Sequence, residues 1–272
     1  MDFLRVDGIE IYKNCIVKKY PSGRCEYLVA DAPVFREPGW EASEGQRQRA
    51  HERSGARAEA EDMERSRRRA RSMIAEYGFA NDFSHFVTFT LDGAVIERYD
   101  IAEIMRRLRA WLSNAVQRQG LKYVLVPERH KKGGIHFHGL VCGDLALTDS
   151  GTLKVEGKAR PYKPRSDAER RRLICEGARV VYNVADWPFG FSTAMELYGD
   201  YSAAVGYVCK YIGKDAEKIG GRWYYSGGGL SRADRVYRAA NFEEAAGRGE
   251  IFEIRRLGCR CVKYVEGDNV GD

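Results

Sequence analysis

The sequence predicts an α+β fold, an antiparallel sheet with helices packed on one face in the manner of the split βαβ family. Two observations carry this expectation. From residue 83 onward, short β-branched and aromatic runs alternate with apolar stripes of helical period, in the order strand, helix, strand, strand, long connection, strand, strand, helix. The long connection, residues 144–177, is polar and rich in Gly, Pro, Asp and Arg, so it reads as an insertion rather than as part of the sheet.

In chain order, Ile9 to Tyr20 and Cys25 to Ala30 form a hairpin around Pro21-Ser22-Gly23-Arg24. Residues 41–76 hold almost no large apolar side chain before Met73 and Ile74, which predicts a charged helix or a solvated linker. Phe86-Val-Thr-Phe-Thr-Leu91 is a strand. Asp100 caps a helix whose Ile101, Ile104, Met105, Leu108, Leu112 and Ala115 form one stripe, ending near Gly120. Strands follow at 121–126 and 135–141, a short helix at 167–175, and strands at 179–184 and 190–194. A helix capped by Asp200 comes next, and Trp223-Tyr224-Tyr225 forms an edge strand broken by Gly227-Gly228-Gly229. The last thirty or so residues are weakly patterned and end in an acidic tail. The expected organisation is therefore an N-terminal hairpin arm (1–40), a charged helical linker (41–78), a compact domain (79–240) and a C-terminal tail (241–272).

Composition narrows the class. The chain has 272 residues, 44% of them hydrophobic, enough for a core, and a net charge of +6 that permits a polyanionic partner without demanding one. No run of about eighteen apolar residues occurs, and the N-terminus is not a secretory signal. Seven scattered cysteines contain no Cys-x-x-Cys pair, which excludes a zinc ribbon and a disulfide framework and points to a reduced, cytoplasmic protein. No Gly-x-x-x-x-Gly-Lys-Ser/Thr loop is present, so no nucleotide cofactor is expected.

Two motifs carry chemistry. His136-Phe137-His138 lies within a strand, where alternation puts both imidazoles on one face. Glu128 ends the preceding strand across a short loop and can reach the same ion in a hairpin. Two histidines and a carboxylate suit a divalent metal that also holds a substrate oxygen, and phosphate chemistry favours Mg²⁺ or Mn²⁺. A lone His-x-His also fits two half-buried histidines satisfied by hydrogen bonds. His130 is a spare candidate and Asp92 a further acidic one. The second motif is Tyr207-Val-Cys-Lys210-Tyr211-Ile-Gly-Lys214, where Tyr207, Lys210, Tyr211 and Lys214 share one helical face and Tyr201, Ala204, Val205, Val208 and Ile212 another. The polar face would present two phenols and two ammonium groups, and a phenol of pKa about 10 needs a neighbouring cation or metal to attack a phosphate. A plain surface helix is the alternative.

Taken together and in this order, the Phe86–Asp92 strand, Glu128 with His136-Phe-His138, and the paired tyrosines resemble the rolling-circle replication initiators of the His-hydrophobic-His (HUH) endonuclease superfamily. The tyrosine stretch is similar to the two-tyrosine motif of A-type replication proteins of small single-stranded DNA phages. Glu64-Arg-Ser-Arg-Arg-Arg-Ala70, Val126-Pro-Glu-Arg-His130 and Gly190-Phe-Ser-Thr-Ala194 look like replication-associated proteins of phages and plasmids, so the resemblance spans roughly residues 64–230. It implies a five-stranded antiparallel sheet with the histidines at its centre and the tyrosine helix across it. It implies a Mg²⁺- or Mn²⁺-dependent nick in single-stranded origin DNA, with Glu128, His136 and His138 as ligands, Tyr207 as nucleophile, Tyr211 as the second tyrosine, and a free 3′-OH for a host polymerase beside a host helicase. Lys210 or Lys214 would stabilise charge. DNA contacts are expected from Arg65, Arg67, Arg68, Arg69, Arg71, Lys131 and Lys132, with Trp187 and Trp223-Tyr224-Tyr225 for stacking. For the Arg cluster a salt-bridged exposed helix is the alternative, and for the aromatics core packing. The rival functions are a relaxase or transposase of the same superfamily and a non-catalytic nucleic-acid-binding regulator.

Overall fold

The computed structural model describes residues 4–6, 9–34, 56–130, 133–158, 160–197, 199, 201–212, 214, 217–254 and 259–267. They fall into two compact units, one of Ser66–Ser231 and one joining the residues up to Arg65 with those from Arg232 onward.

The Ser66–Ser231 unit is built on a seven-stranded antiparallel sheet. Its strands are β5 (His85–Thr90), β6 (Lys122–Arg129), β7 (Ile135–Cys142), β8 (Leu147–Lys154), β9 (Arg179–Val184), β10 (Ser192–Glu196) and β11 (Tyr225–Gly227), in the order β11-β6-β7-β5-β10-β9-β8. One face is covered by α2 (Ile101–Gln119). Asp100 caps this helix by accepting the Glu103 N–H, and Gly120 ends it in the left-handed region at φ 60°. Its stripe, Ile104, Met105, Leu108, Trp111, Leu112 and Ala115, packs on Val87, Phe89, Leu125, Phe137, Val141 and Ala194. Trp187 belongs to this core, stacked 4.4 Å from Phe89 and edge-on to Trp111 at 5.1 Å.

The opposite face carries α4 (Tyr201–Tyr211), which contacts β6 and β7. From Ser66 on, α1 (Ala56–Ala80) lies beside α4, and Gly78 is what allows it. A Cβ at Gly78 would fall 2.7 Å from a Val205 methyl. The Tyr201 hydroxyl donates to the carbonyls of Gly78 (2.8 Å) and Asn81 (2.9 Å), and Arg71 caps the far end of α4 by donating to the Ile212 carbonyl at 2.7 and 3.1 Å.

Two expectations about this unit are corrected. The sheet has seven strands rather than five, and helices lie on both faces rather than one. The added β8 comes from the stretch read as a polar insertion. It is an edge strand of sequence Leu-Thr-Asp-Ser-Gly-Thr-Leu-Lys with a register shift at Asp149/Thr152, and only Leu153 is buried, so its pattern is hydrophilic. The added β11 is the edge strand expected near Trp223, displaced to Tyr225–Gly227. The short helix α3 (Asp167–Cys175) forms as expected, capped by Ser166.

In the other unit, β1 (Leu4–Val6) pairs with β2 (Ile9–Tyr12), and β3 (Cys15–Lys19) with β4 (Cys25–Ala30) in the expected hairpin. The chain termini do not form a separate arm and tail there. Strands β12 (Asp234–Arg238), β13 (Glu250–Ile254) and β14 (Cys259–Glu266) join β3 and β4 in a five-stranded antiparallel sheet, β12-β3-β4-β14-β13. Phe242 and Ala245 of α5 (Phe242–Ala246) pack on Cys15, Val17, Val29 and Val262. Buried Asn14 bonds the backbone of Ala30 and Ala240, tying the two chain ends together. All seven cysteines are free.

Candidate active site

Strand register assembles the site. In the β6–β7 hairpin Glu128 is directly opposite His136 and Val126 opposite His138; on the other side of β7, Thr90 faces His136 and Thr88 faces His138. Cross-strand partners share a face, so Glu128, both histidines and both threonines stand together on the face that carries α4. Each threonine meets the Nδ1 of its histidine, Thr88 Oγ1 at 3.1 Å from His138 and Thr90 Oγ1 at 3.3 Å from His136. A hydroxyl both donates and accepts, so it holds the ring in either tautomer and leaves Nε2 for the site. His138 Nε2 is 2.8 Å from Glu128 Oε2. Burial is the main cause that lowers the His138 pKa to about 4, only partly offset by the Glu128 carboxylate; burial lowers that of His136 too, helped by His130. The His130 ring stacks 5.3 Å from His136, which brings the spare histidine of the loop to the edge of the site.

The tyrosines differ. Tyr207 is 47% exposed, while Tyr211 is 6% exposed and lies flat on His138, ring centroids 4.0 Å apart. The expectation that both phenols occupy the polar face is thus corrected. Tyr211 is the last residue of α4 and turns inward with Val205 and Val208. Its hydroxyl donates to the Tyr207 hydroxyl at 2.8 Å. Burial, reinforced by that bond, raises its pKa well above the usual phenol value. Lys214 lies past the helix end in a turn, its N–H on the Tyr211 carbonyl; its Nζ is 2.7 Å from Glu128 Oε1 and 4.2 Å from the Tyr211 ring centroid. Lys210 is exposed at the end of the helix. The proposed cap Asp200 and the loop lysines Lys131 and Lys132 lie outside the described residues.

Both Glu128 oxygens are thus engaged, one by His138 and one by Lys214. Among the described residues no three His, Cys, Asp or Glu side chains are gathered tightly enough to enclose a metal in this arrangement. The donor chemistry nonetheless fits a divalent ion. Two imidazoles with hydroxyl-held Nδ1 atoms stand beside a carboxylate whose present partner is itself a cation.

Beside Tyr207, a cleft of about 790 Å³ opens over β5, β10 and β9. Phe86, Thr88, Thr193 and Met195 floor it, and Lys154 and Arg179 stand with Glu156 and Glu196 along its walls. Of the expected DNA contacts, Arg65 pairs with Asp62 at 2.6 Å, Arg67 lies over the Trp223 ring at 5.1 Å, Arg68 and Arg69 are exposed, and Arg71 holds Ile212. Asp92 caps its own turn by accepting the Ala94 N–H.

Sequence reading missed Thr88 and Thr90, which it took as markers of fold. Their signal was the spacing of two, matching the spacing of the histidines, which an antiparallel neighbour must share. It also missed Phe191, 71% exposed, whose carbonyl accepts the Thr90 N–H.

An antiparallel sheet with a His-x-His strand at its middle and a paired-tyrosine helix across it defines a class of proteins that act on DNA strands. Residues 84–216 match the family of replication-associated proteins of the ORF2 type, and this part of the chain belongs to that family. No curated protein and no solved structure matches the chain. Among the described residues no helix is long and apolar enough to cross a membrane.

Proposed function

We propose that the protein initiates rolling-circle replication by nicking single-stranded origin DNA through transesterification and later rejoining the strand. The observation that carries this reading is the contact chain Tyr207–Tyr211–His138–Glu128, which puts one exposed phenol next to a buried one stacked on the histidine strand. Tyr207 is the nucleophile. Its exposure admits a phosphodiester, and the Tyr211 hydroxyl, donating to it, stabilises negative charge on the Tyr207 oxygen. Because the Tyr211 pKa is raised, it stays protonated and remains that donor at neutral pH. The Tyr207 oxygen bonds to phosphorus while the bond from phosphorus to the 3′ oxygen breaks, giving a 5′-phosphotyrosine and, after protonation, a free 3′-OH. The bond count is conserved, so the cut requires no ATP.

Glu128, His136 and His138 would hold Mg²⁺ or Mn²⁺, which when bound supplies positive charge to the non-bridging phosphate oxygens. Lys214 places an ammonium at the same carboxylate and the same tyrosine ring, and Lys210 a second one a turn back. After one round Tyr211, freed from its stack, attacks the regenerated junction and releases the first tyrosine. A host polymerase extends the 3′-OH, and a host helicase separates the strands. Phe191 offers a ring for base stacking on the site face.

The test is incubation of the purified chain with labelled single-stranded oligonucleotides tiling the DNA that encodes it, with Mn²⁺ or EDTA. A denaturation-resistant adduct that requires metal supports the reading. Binding on every tile without any adduct would move the assignment to a non-catalytic DNA binder.

A further inference from the structure

On the site face of the sheet, at the β11 edge, a second depression of about 330 Å³ lies between the residues of α1 from Ser66 onward and the segment after the tyrosine helix. Arg69, Lys218 and Arg222 line it together with Trp223, Tyr224 and Ser226, and no carboxylate does. Local structure explains the convergence. Ile219 and Arg222 bridge across a tight turn through Gly220 and Gly221, both at positive φ (60° and 78°), so Lys218 and Arg222 emerge side by side. Trp223 is fixed as a wall by its Nε1 bond to Ser66 Oγ at 3.0 Å and by the Arg67 guanidinium 5.1 Å from its ring centroid. Arg69, Lys218 and Arg222 are exposed. Ser226 pairs with Val124, two residues from Val126 and four from Glu128 on the same strand, so the depression opens on the side that holds the histidines. The β11 strand is two positions from β7, about 10 Å at normal strand spacing.

Three cations, two aromatic rings and two hydroxyls without an acid match a nucleotide, with charge for a phosphate and a ring for a base. Duplex DNA would not present its bases to so small a recess. We infer that Arg69, Lys218, Arg222 and Tyr224 form a single-strand DNA subsite that holds a nucleotide of the strand flanking the cut, on the side of the metal ligands away from the cleft beside Tyr207. This rests on the nickase reading for the strand's path, and not for the binding itself. It also divides the arginine cluster, with Arg69 facing DNA while Arg67 and Arg71 hold Trp223 and Ile212.

The experiment measures binding of a fluorescein-labelled single-stranded oligothymidylate to the full chain by anisotropy, in EDTA, across a salt series. The double variant Arg69→Ala/Arg222→Ala is compared with Arg106→Ala/Arg118→Ala. The latter removes equal charge from α2, on the opposite face. The subsite pair is expected to weaken binding about tenfold or more and to lower the log K against log salt slope by about 1.4, two single-strand phosphate contacts. The control pair should change little. Equal losses in the two pairs, no loss in the subsite pair, or an equal loss with a duplex of the same length would each overturn the assignment. Adduct formation with Mn²⁺, assayed separately on the wild-type chain, keeps the two readings apart. A chain that forms no adduct yet shows the subsite loss fails as a nickase and retains the subsite.

Discussion

Replacing Gly78 with alanine is expected to unseat the tyrosine helix, and the structure gives the size of the effect. The new Cβ would lie 2.7 and 2.8 Å from the two γ-carbons of Val205, where carbon atoms normally rest about 3.5–4.0 Å apart. Val205 is 1% exposed and β-branched, so it has no second rotamer to retreat into, and α1 and α4 must part by about 1 Å. Overpacking of this kind costs about 1–3 kcal/mol, and the helical preference of alanine over glycine returns about 0.5–1 kcal/mol. The net loss is about 1–2 kcal/mol, read in urea as a lower midpoint with an unchanged slope. Adduct formation should fall further than stability, because the displaced helix carries Tyr207 and its Tyr201 anchor bonds the carbonyl of Gly78 itself. Val205→Ala alone also destabilises, by leaving a cavity. In the double variant the clash is gone, so a favourable coupling of about 1–2 kcal/mol is expected. A Gly78→Ala chain as stable as the parent, or a double variant whose losses simply add, would refute the argument that this close approach seats the helix.

Three further outcomes follow from the geometry. Lys214→Met removes the ammonium from Glu128 and should tighten Mn²⁺ binding by up to about fivefold, the scale of a half-exposed ion pair; an unchanged or weaker affinity by paramagnetic resonance titration would show that Lys214 does not compete for the carboxylate. Thr88→Val and Thr90→Val keep shape and remove the Nδ1 partners, so each should lower metal affinity about tenfold or more while leaving the unfolding midpoint nearly in place, and equal affinities would remove the threonines from the account. Glu26 is buried, which alone raises its pKa, but Lys263 at 2.9 Å and Lys18 at 3.7 Å outweigh burial and hold it below the ordinary carboxylate range. Its stabilisation is full above the unfolded-state pKa of about 4.3 and is lost as pH falls through the lower folded value. Glu26→Gln should therefore reduce the melting temperature at pH 7 and lose less on acidification than the parent; parallel acid limbs would contradict the charge argument.

How much of this was legible depended on whether a segment's burial matched its period. The α2 stripe from Ile104 to Ala115 and the β5, β6, β7, β9 and β10 runs could be read because each buries one face. The strand β8 could not, since an edge strand with one buried leucine has no apolar alternation to see. The β14 strand was hidden by its composition. Cys259, Cys261 and Val262 are its buried residues, and the cysteines were weighed for redox chemistry rather than as small apolar side chains. At the site, the alternation of His136 and His138 and the hairpin link to Glu128 followed from local rules. Tyr211's inward turn did not, because a helical wheel assigns faces without knowing that the helix ends at Tyr211 against the His138 ring. Lys214's bond to Glu128 joins residues 86 positions apart, and no local pattern encodes it.

The most direct test of the account is the identity of the residue joined to DNA. The wild-type, Tyr207→Phe and Tyr211→Phe chains would be incubated with Mn²⁺ and the cleaved tile, and the denaturation-resistant adduct mapped by peptide mass. The account predicts a 5′-phosphate on Tyr207 in the wild type, no first-round adduct in Tyr207→Phe, and a slower adduct, still on Tyr207, in Tyr211→Phe. An adduct that survives Tyr207→Phe and maps to Tyr211 would contradict the assignment of the exposed tyrosine as nucleophile.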